Sequence, residues 1–305
     1  MSMNWSGVIP AMTTPFKEDG SGDFDFLAKH TTWLLDNGCT GVVALGSLGE
    51  GGTLTFAEKK QVLSCCKGAT AGRASLVAGI SALGTAEAVE LARAAEEAGC
   101  DGLMVLPPYV YLGDWRETKA HVAAILQATG LSCMLYNKPI AYKVDFIPAQ
   151  VAELVEEFSS LHAIKESSAD VRRVTALRAM LGDRLKILVG VDDEIVEGVQ
   201  AGAVGWIAGL VNAFPGESVE LFELAKAGKI NEAFELYRWY LPLLRMDTVP
   251  KFVQLIKLAQ EVVKMGSRRV RAPRLELAGL ELADAMAVIE HSLATHPRRA
   301  AIAAR

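Results

Sequence analysis

The sequence predicts an α/β fold, a (β/α)8 TIM barrel carrying a C-terminal helical appendage. Three observations predict it. Eight short apolar runs alternate with helix-period stretches as far as residue 212, glycine recurs where those segments meet, and 305 residues suffice for one closed barrel. Near-continuous apolar strands separated by helices mark a parallel sheet covered on its faces, and eight such units are the number that closes on itself.

In order, strands are expected at 8–12, 41–45, 75–78, 102–106, 132–136, 161–165, 186–189 and 205–207. Between them, stretches such as 24–37, 85–98 and 115–129 carry the helical period. Gly38 and Gly99 follow two of these helices, where a left-handed C-terminal cap favours glycine. Thr85 stands where an N-cap is expected, and Pro148 and Pro215 fall in first turns, where the missing N–H has no helical partner to lose. After residue 212 the alternation stops, and 214–227, 230–244, 249–263 and 280–293 read as successive helices. The expected organisation is a barrel at 1–212, helices packed on it at 213–295, and an Ala/Arg-rich, frayed tail at 296–305.

Composition narrows the function. Apolar residues make up 51% of the chain and charged ones 22%, enough to bury a large core. The formal charge of −5 comes with no basic stripe, which argues against nucleic acid as a partner. The five cysteines, at 39, 65, 66, 100 and 133, form no C-x-x-C and read as reduced, mostly buried thiols of a cytoplasmic protein. Residues 1–14 lack the basic start and apolar run of a signal peptide, and no segment approaches the roughly 18 uninterrupted apolar residues of a membrane span. No His/Asp/Glu cluster has metal-ligand spacing, so no metal is expected. Asp192-Asp193-Glu194 is expected to open a helix, where carboxylates complement the dipole.

In such barrels the reactive groups gather at the carboxyl ends of the strands. Three polar sites end strands here: Gly46-Ser47-Leu48-Gly49-Glu50, Tyr136-Asn137 and Lys165-Glu166. Lys165 closes an otherwise mostly apolar strand. Burial disfavours its ammonium form, which suits a Schiff-base amine, although a rim lysine also commonly lifts its head into water. Tyr136 ends the neighbouring strand and offers a phenol for proton transfer, or else an ordinary amphipathic core tyrosine. The glycine-rich loop at 46–52, with the Ser47 hydroxyl, suits a carboxylate, but a tight turn has the same composition. Asp101 lies at the wrong end of its strand for catalysis, and His162 is expected to pack on its strand or bond locally.

With those residues in place, the chain resembles the dihydrodipicolinate synthase / N-acetylneuraminate lyase family from about Trp5 to Leu293. The matching features are Gly46-Ser47-Leu48-Gly49-Glu50, Tyr136-Asn137-x-Pro139, Ile164-Lys165-Glu166-Ser167-Ser168 and Gly190-Val191-Asp192-Asp193. The resemblance implies a Schiff base on Lys165, a catalytic role for Tyr136, and carboxylate binding by Ser47. Gly46, Leu48, Gly49, Glu50, Tyr109, Asn137, Gly190, Val191 and Ile207 are expected around the substrate. It further implies a homotetramer, a small 2-oxo-acid or cyclic-imine carboxylate as substrate, and no cofactor beyond the covalent imine.

Two departures bear on which reaction is run. Tyr136-Asn137-Lys138-Pro139 continues into Ile140-Ala141-Tyr142, without the arginine with which the synthases grip a second carboxylate. Val110 stands where synthases and lyases have the tyrosine lent to a neighbouring subunit. Dihydrodipicolinate synthesis is therefore not the expected reaction, and the chain is most similar to the 1-pyrroline-4-hydroxy-2-carboxylate deaminase branch, which acts in hydroxyproline catabolism. The expected products are 2,5-dioxopentanoate and ammonia. The alternatives are a pyruvate-dependent aldolase, a 2-keto-3-deoxy sugar-acid dehydratase, and a non-catalytic barrel that binds an oxo acid.

Overall fold

The eight apolar runs pair side by side in a computed structural model that describes residues 3–108 and 111–297. The strands are β1 (Gly7–Pro10), β2 (Gly41–Ala44), β3 (Ser75–Ile80), β4 (Gly102–Val105), β5 (Ser132–Asn137), β6 (Leu161–Glu166), β7 (Lys186–Val189) and β8 (Gly205–Ala208). All pair in parallel, in the order β1-β8-β7-β6-β5-β4-β3-β2. The ring closes between β1 and β2, where Ala11 bridges Val43 and the Met12 N–H donates to the Val43 carbonyl at 2.8 Å. Every residue of β1, β2, β4 and β8 is buried, as a sheet covered on its outer face and filled on its inner one requires.

The helix signals resolve as follows. Gly38 and Gly99 take positive φ of 93° and 76°, the left-handed caps read from the sequence. Pro148 and Pro215 open the helices Pro148–Glu157 and Pro215–Lys226. Thr85 is not a cap: Gly84 is extended and takes that position, while the Thr85 hydroxyl pairs with His121 Nδ1 at 3.0 Å. Asp101, on the amino-terminal rim, accepts from the Leu76 N–H at 2.9 Å, and His162 Nδ1 bonds the Ser132 hydroxyl at 2.8 Å. Pro215–Lys226 follows β8 and packs against β1 and the helix Ile195–Gln200, as the eighth barrel helix, so the appendage proper begins at Ile230. It consists of Ile230–Leu244, Phe252–Val262 and Gly279–Ala294. Residues 298–305, most of the expected tail, lie outside the described residues. No helix among the described residues is long and apolar enough to cross a membrane.

The appendage reaches the carboxyl rim of the barrel and is tied to it through charge. Lys257 donates to Glu50 Oε1 at 2.6 Å, with both side chains out of water (1% and 0% exposed). Lys257 also donates to the Arg269 carbonyl at 2.7 Å and lies over the Phe16 ring at 4.4 Å. Glu50 Oε2 accepts from the Arg271 N–H at 3.0 Å. The Glu50 carboxylate thus joins the loop after β2 to the segment after Phe252–Val262. Thr13 Oγ1 donates to Gln260 Oε1 at 2.8 Å and adds a second tie.

Removing one partner of a buried pair strands the other charge, a loss of about 3–5 kcal/mol. Lys257→Met is therefore expected to lower the unfolding free energy by about that amount in a guanidinium titration. Lys257→Met combined with Glu50→Gln should recover part of the loss. A single variant that unfolds like the parent would show that the pair does not hold the appendage.

Candidate active site

Parallel strands end together, so the side chains closing β5 and β6 meet at the rim. Register pairs Tyr136 with Lys165, and the Lys165 Nζ lies 4.2 Å from the Tyr136 ring centroid. The lysine is largely shielded from solvent rather than lifted into it, since Lys165 is only 6% exposed. Burial, and then the charge of Lys138, lower its pKa to about 7, against the opposing pull of Asp247 and Asp192. At neutral pH a substantial share of the amine is unprotonated and nucleophilic.

Gly190, at the end of β7, makes room for that side chain. A Cβ there would lie 2.6 Å from both Lys165 Cγ and Cε and closer still to the Ser167 hydroxyl. Its role is thus to seat the lysine. Val191 follows it with extended backbone.

The loop after β2 supplies the hydroxyl. Leu45 and Glu50 hold left-handed φ of 65° and 54° without being glycine, a strain of order 1–3 kcal/mol each that marks a shaped loop. Between them, the Glu50 and Gly51 amides donate to the Ser47 and Gly46 carbonyls, and the Gly49 carbonyl accepts from Thr14 Oγ1 at 2.7 Å. The Ser47 hydroxyl is hydrogen-bonded to the Tyr142 hydroxyl. Tyr142 in turn sets its ring edge-on against Tyr136, centroids 5.8 Å apart. Tyr136, Tyr142 and Ser47 thus form one run of hydroxyl-bearing groups within a single chain. Burial, and then the negative charge of Asp247, hold the Tyr136 phenol well above the ordinary tyrosine range, so it stays protonated and acts as a donor.

A narrow inner cavity is lined by Gly46, Ser47, Leu48, Tyr136, Lys165 and Ile207 from the predicted set, together with Lys138, Gly209, Asp247 and Phe252. Ser47, Lys138 and Phe252 also line an outer vestibule with Tyr142, Glu50 and Arg274, so the two spaces lie side by side. Asn137, from the same predicted set, is fully buried and acts as a clamp. It donates to Glu166 Oε2 at 3.1 Å and accepts from the Phe146 N–H at 3.1 Å, which anchors the segment between β5 and Pro148. The Tyr109 contact and the Val110 position lie outside the described residues.

Sequence reasoning missed Asp247 and Phe252, because they sit among helices read only as a cover. The available signal was the polar break Arg245-Met246-Asp247-Thr248 between two apolar helical runs. The acidic triplet leads into the helix Ile195–Gln200, as expected, but Asp192 also has a long-range task. Asp192–Glu194 forms a 3-10 turn, and the Asp192 carboxylate reaches across to β8, accepting from Trp206 Nε1 at 3.0 Å and from the Leu210 N–H at 2.8 Å.

Comparison with known proteins bears on the family and the fold. The profile described as the dihydrodipicolinate synthetase family matches residues 4–292. A 4-hydroxy-tetrahydrodipicolinate synthase of Methanococcus maripaludis strain C7 is 31% identical over 272 residues, 89% of this chain and 93% of that protein. The crystal structure of dihydrodipicolinate synthase from Aquifex aeolicus superposes with a TM-score of 0.90 at 28% identity, covering 94% of this chain and 98% of that one. A prophage protein of the dihydrodipicolinic acid synthase family from E. coli K12, solved in complex with pyruvate, gives a TM-score of 0.89 at 25% identity, covering 95% and 99%.

The lowered lysine pKa has a direct readout. Reductive methylation of Lys165, followed by peptide mass mapping, should rise with pH and reach half its maximum near 7, because the ammonium form below that pH is unreactive. A midpoint near that of an ordinary surface lysine would contradict the burial argument.

Proposed function

The chain belongs to the dihydrodipicolinate synthetase family, and we propose that it is a class I lyase that deaminates 1-pyrroline-4-hydroxy-2-carboxylate to 2,5-dioxopentanoate and ammonia. The observation that carries the Schiff-base chemistry is the buried Lys165 amine in one cavity with Tyr136 and Ser47. In this reading Ser47 and the Leu48 amide hold the substrate carboxylate, and the amine attacks C2 of the cyclic imine. Transimination opens the ring and frees the substrate nitrogen as an amine on C5. The protonated imine then draws electrons as a proton leaves C3, and the 4-hydroxyl departs as water. Tautomerisation moves the unsaturation to the C5–nitrogen bond, and hydrolysis releases ammonia and the dioxo acid. No cofactor is needed, because the imine itself is the electron sink.

The choice of deamination over synthesis rests on the segment after β5. The synthase reaction brings a second carboxylate, for which a guanidinium is the fitting partner. Here the short helix Pro139–Tyr142 carries Ile140, which faces solvent, then Ala141, then Tyr142, which is bonded to Ser47. The cations of the vestibule are Lys138 and Arg274, and Arg274 lies 3.7 Å from Glu50. The proposed imine has one carboxylate and asks for no second anion site. Tyr142 gives the proton relay an in-chain member where the resemblance led to an intersubunit tyrosine. The relatives' name favours a second reading, condensation of pyruvate with an aldehyde, and the same assay separates the two.

Purified enzyme offered the hydroxypyrroline carboxylate should release ammonia, and Lys165→Ala should abolish this. Tyr142→Phe should lower kcat on the order of 10²-fold, the scale of a lost proton-transfer step. Condensation of pyruvate with aspartate semialdehyde, without ammonia release from the imine, would overturn the deaminase assignment. Binding of pyruvate without turnover of either substrate would favour a non-catalytic barrel.

A further inference from the structure

The inner cavity holds a carboxylate that the mechanism above leaves without a task. Asp247 follows the helix Ile230–Leu244 in a short 3-10 turn, Arg245–Asp247, and is 8% exposed. It lines the same cavity as Lys165 and Tyr136. The fold makes room for it: a Cβ on Gly209, just after β8, would lie 2.6 Å from Asp247 Cγ and nearer still to Oδ1.

The two buried carboxylates here are used differently. Asp192 is filled by the Trp206 indole and the Gly209 and Leu210 amides, so its oxygens are committed to the backbone after β8. Asp247 accepts no hydrogen bond from the described residues, and its acceptor capacity faces the cavity. The charges bearing on it are Lys138, Lys165, Asp192 and Asp193, and Arg245 lies 3.5 Å from Asp193. Burial and the neighbouring acids raise its pKa, whereas the two lysines keep it from rising further. A carboxylate so placed is a stronger base than an exposed aspartate. Tyr136, held protonated, cannot be the resting base.

We infer that Asp247 is the catalytic carboxylate of the elimination, taking the proton from C3 of the Lys165 imine and delivering it to the oxygen that leaves C4. The inference rests on the Schiff-base reading of the site. In the first step the C3–H pair forms the C2–C3 double bond, the imine nitrogen takes up the electron pair, and Asp247 becomes protonated. In the second the enamine pair returns, the C4–O bond breaks, and the Asp247 proton leaves with that oxygen as water. Asp247 ends as a carboxylate, and no oxidant or reductant is involved.

Pyruvate alone tests this, because its methyl group is C3 of the imine and no C4 is needed. Borohydride reduction with pyruvate reports imine formation on Lys165, and loss of the methyl proton signal in D2O reports C3 deprotonation. Asp247→Asn is expected to keep the reducible adduct and to lose methyl exchange on the order of 10²-fold or more. Asp247→Glu should restore part of the exchange. Exchange in Asp247→Asn within about threefold of the parent would assign the C3 proton to another group. Loss of the adduct in both variants would place Asp247 at Lys165 itself and overturn the elimination role. Parent enzyme that forms the adduct without exchange would overturn it as well. Parent enzyme that forms no adduct would instead remove the Schiff-base reading beneath the inference, while absence of ammonia release alone would touch only the substrate assignment.

Discussion

A lysine amine kept out of water at the end of an apolar strand is the constraint on which the rest of this site depends. Lys165 is covalently part of β6 and cannot retreat from the barrel mouth, so its charge state is set by its surroundings. Burial and the nearby Lys138 work against the ammonium, and Asp247 and Asp192 partly restore it. Were the head exposed, the amine would be protonated near neutral pH and a poor nucleophile. Glycine at position 190 then becomes a requirement, because any side chain there would meet the lysine stem.

The barrel alone does not complete that environment. Asp247 and Phe252 reach the cavity from the appendage, which is fixed to the rim by Lys257 and Glu50 in a fully buried ion pair. On the opposite flank the segment after β5 is clamped by Asn137 and by Asp145, which accepts two hydrogen bonds from Arg173 at 2.5 and 2.8 Å. This clamp positions Tyr142 against Tyr136 and Ser47. Residues that resemble substrate contacts by their place in a motif, Glu50 and Asn137, thus shape the walls.

Much of the architecture was legible in the sequence because the apolar runs are short, unbroken and regularly spaced. β7 falls where the pattern places it, and the other strands differ by a residue or two at their ends. The strand-end logic also picked Lys165, Tyr136 and Ser47, which share one cavity, and Ile207, named through the resemblance, lines it too. What the pattern could not carry was long-range: the Lys257–Glu50 pair spans 207 positions, and Asp247 belongs to a turn between two helices. Nothing in local periodicity announces that such a turn folds back over a barrel mouth. Thr85 shows the reverse limit, a good capping residue displaced one position by an extended glycine.

The account stands or falls on covalent capture of a 2-oxo acid at Lys165. The most direct measurement is a crystal structure of the protein soaked with pyruvate. The geometry predicts continuous density from Lys165 Nζ to C2, with the carboxylate against Ser47 and Leu48 and the methyl group toward Asp247. Pyruvate held non-covalently, with the Lys165 amine separate from it, would contradict the central claim.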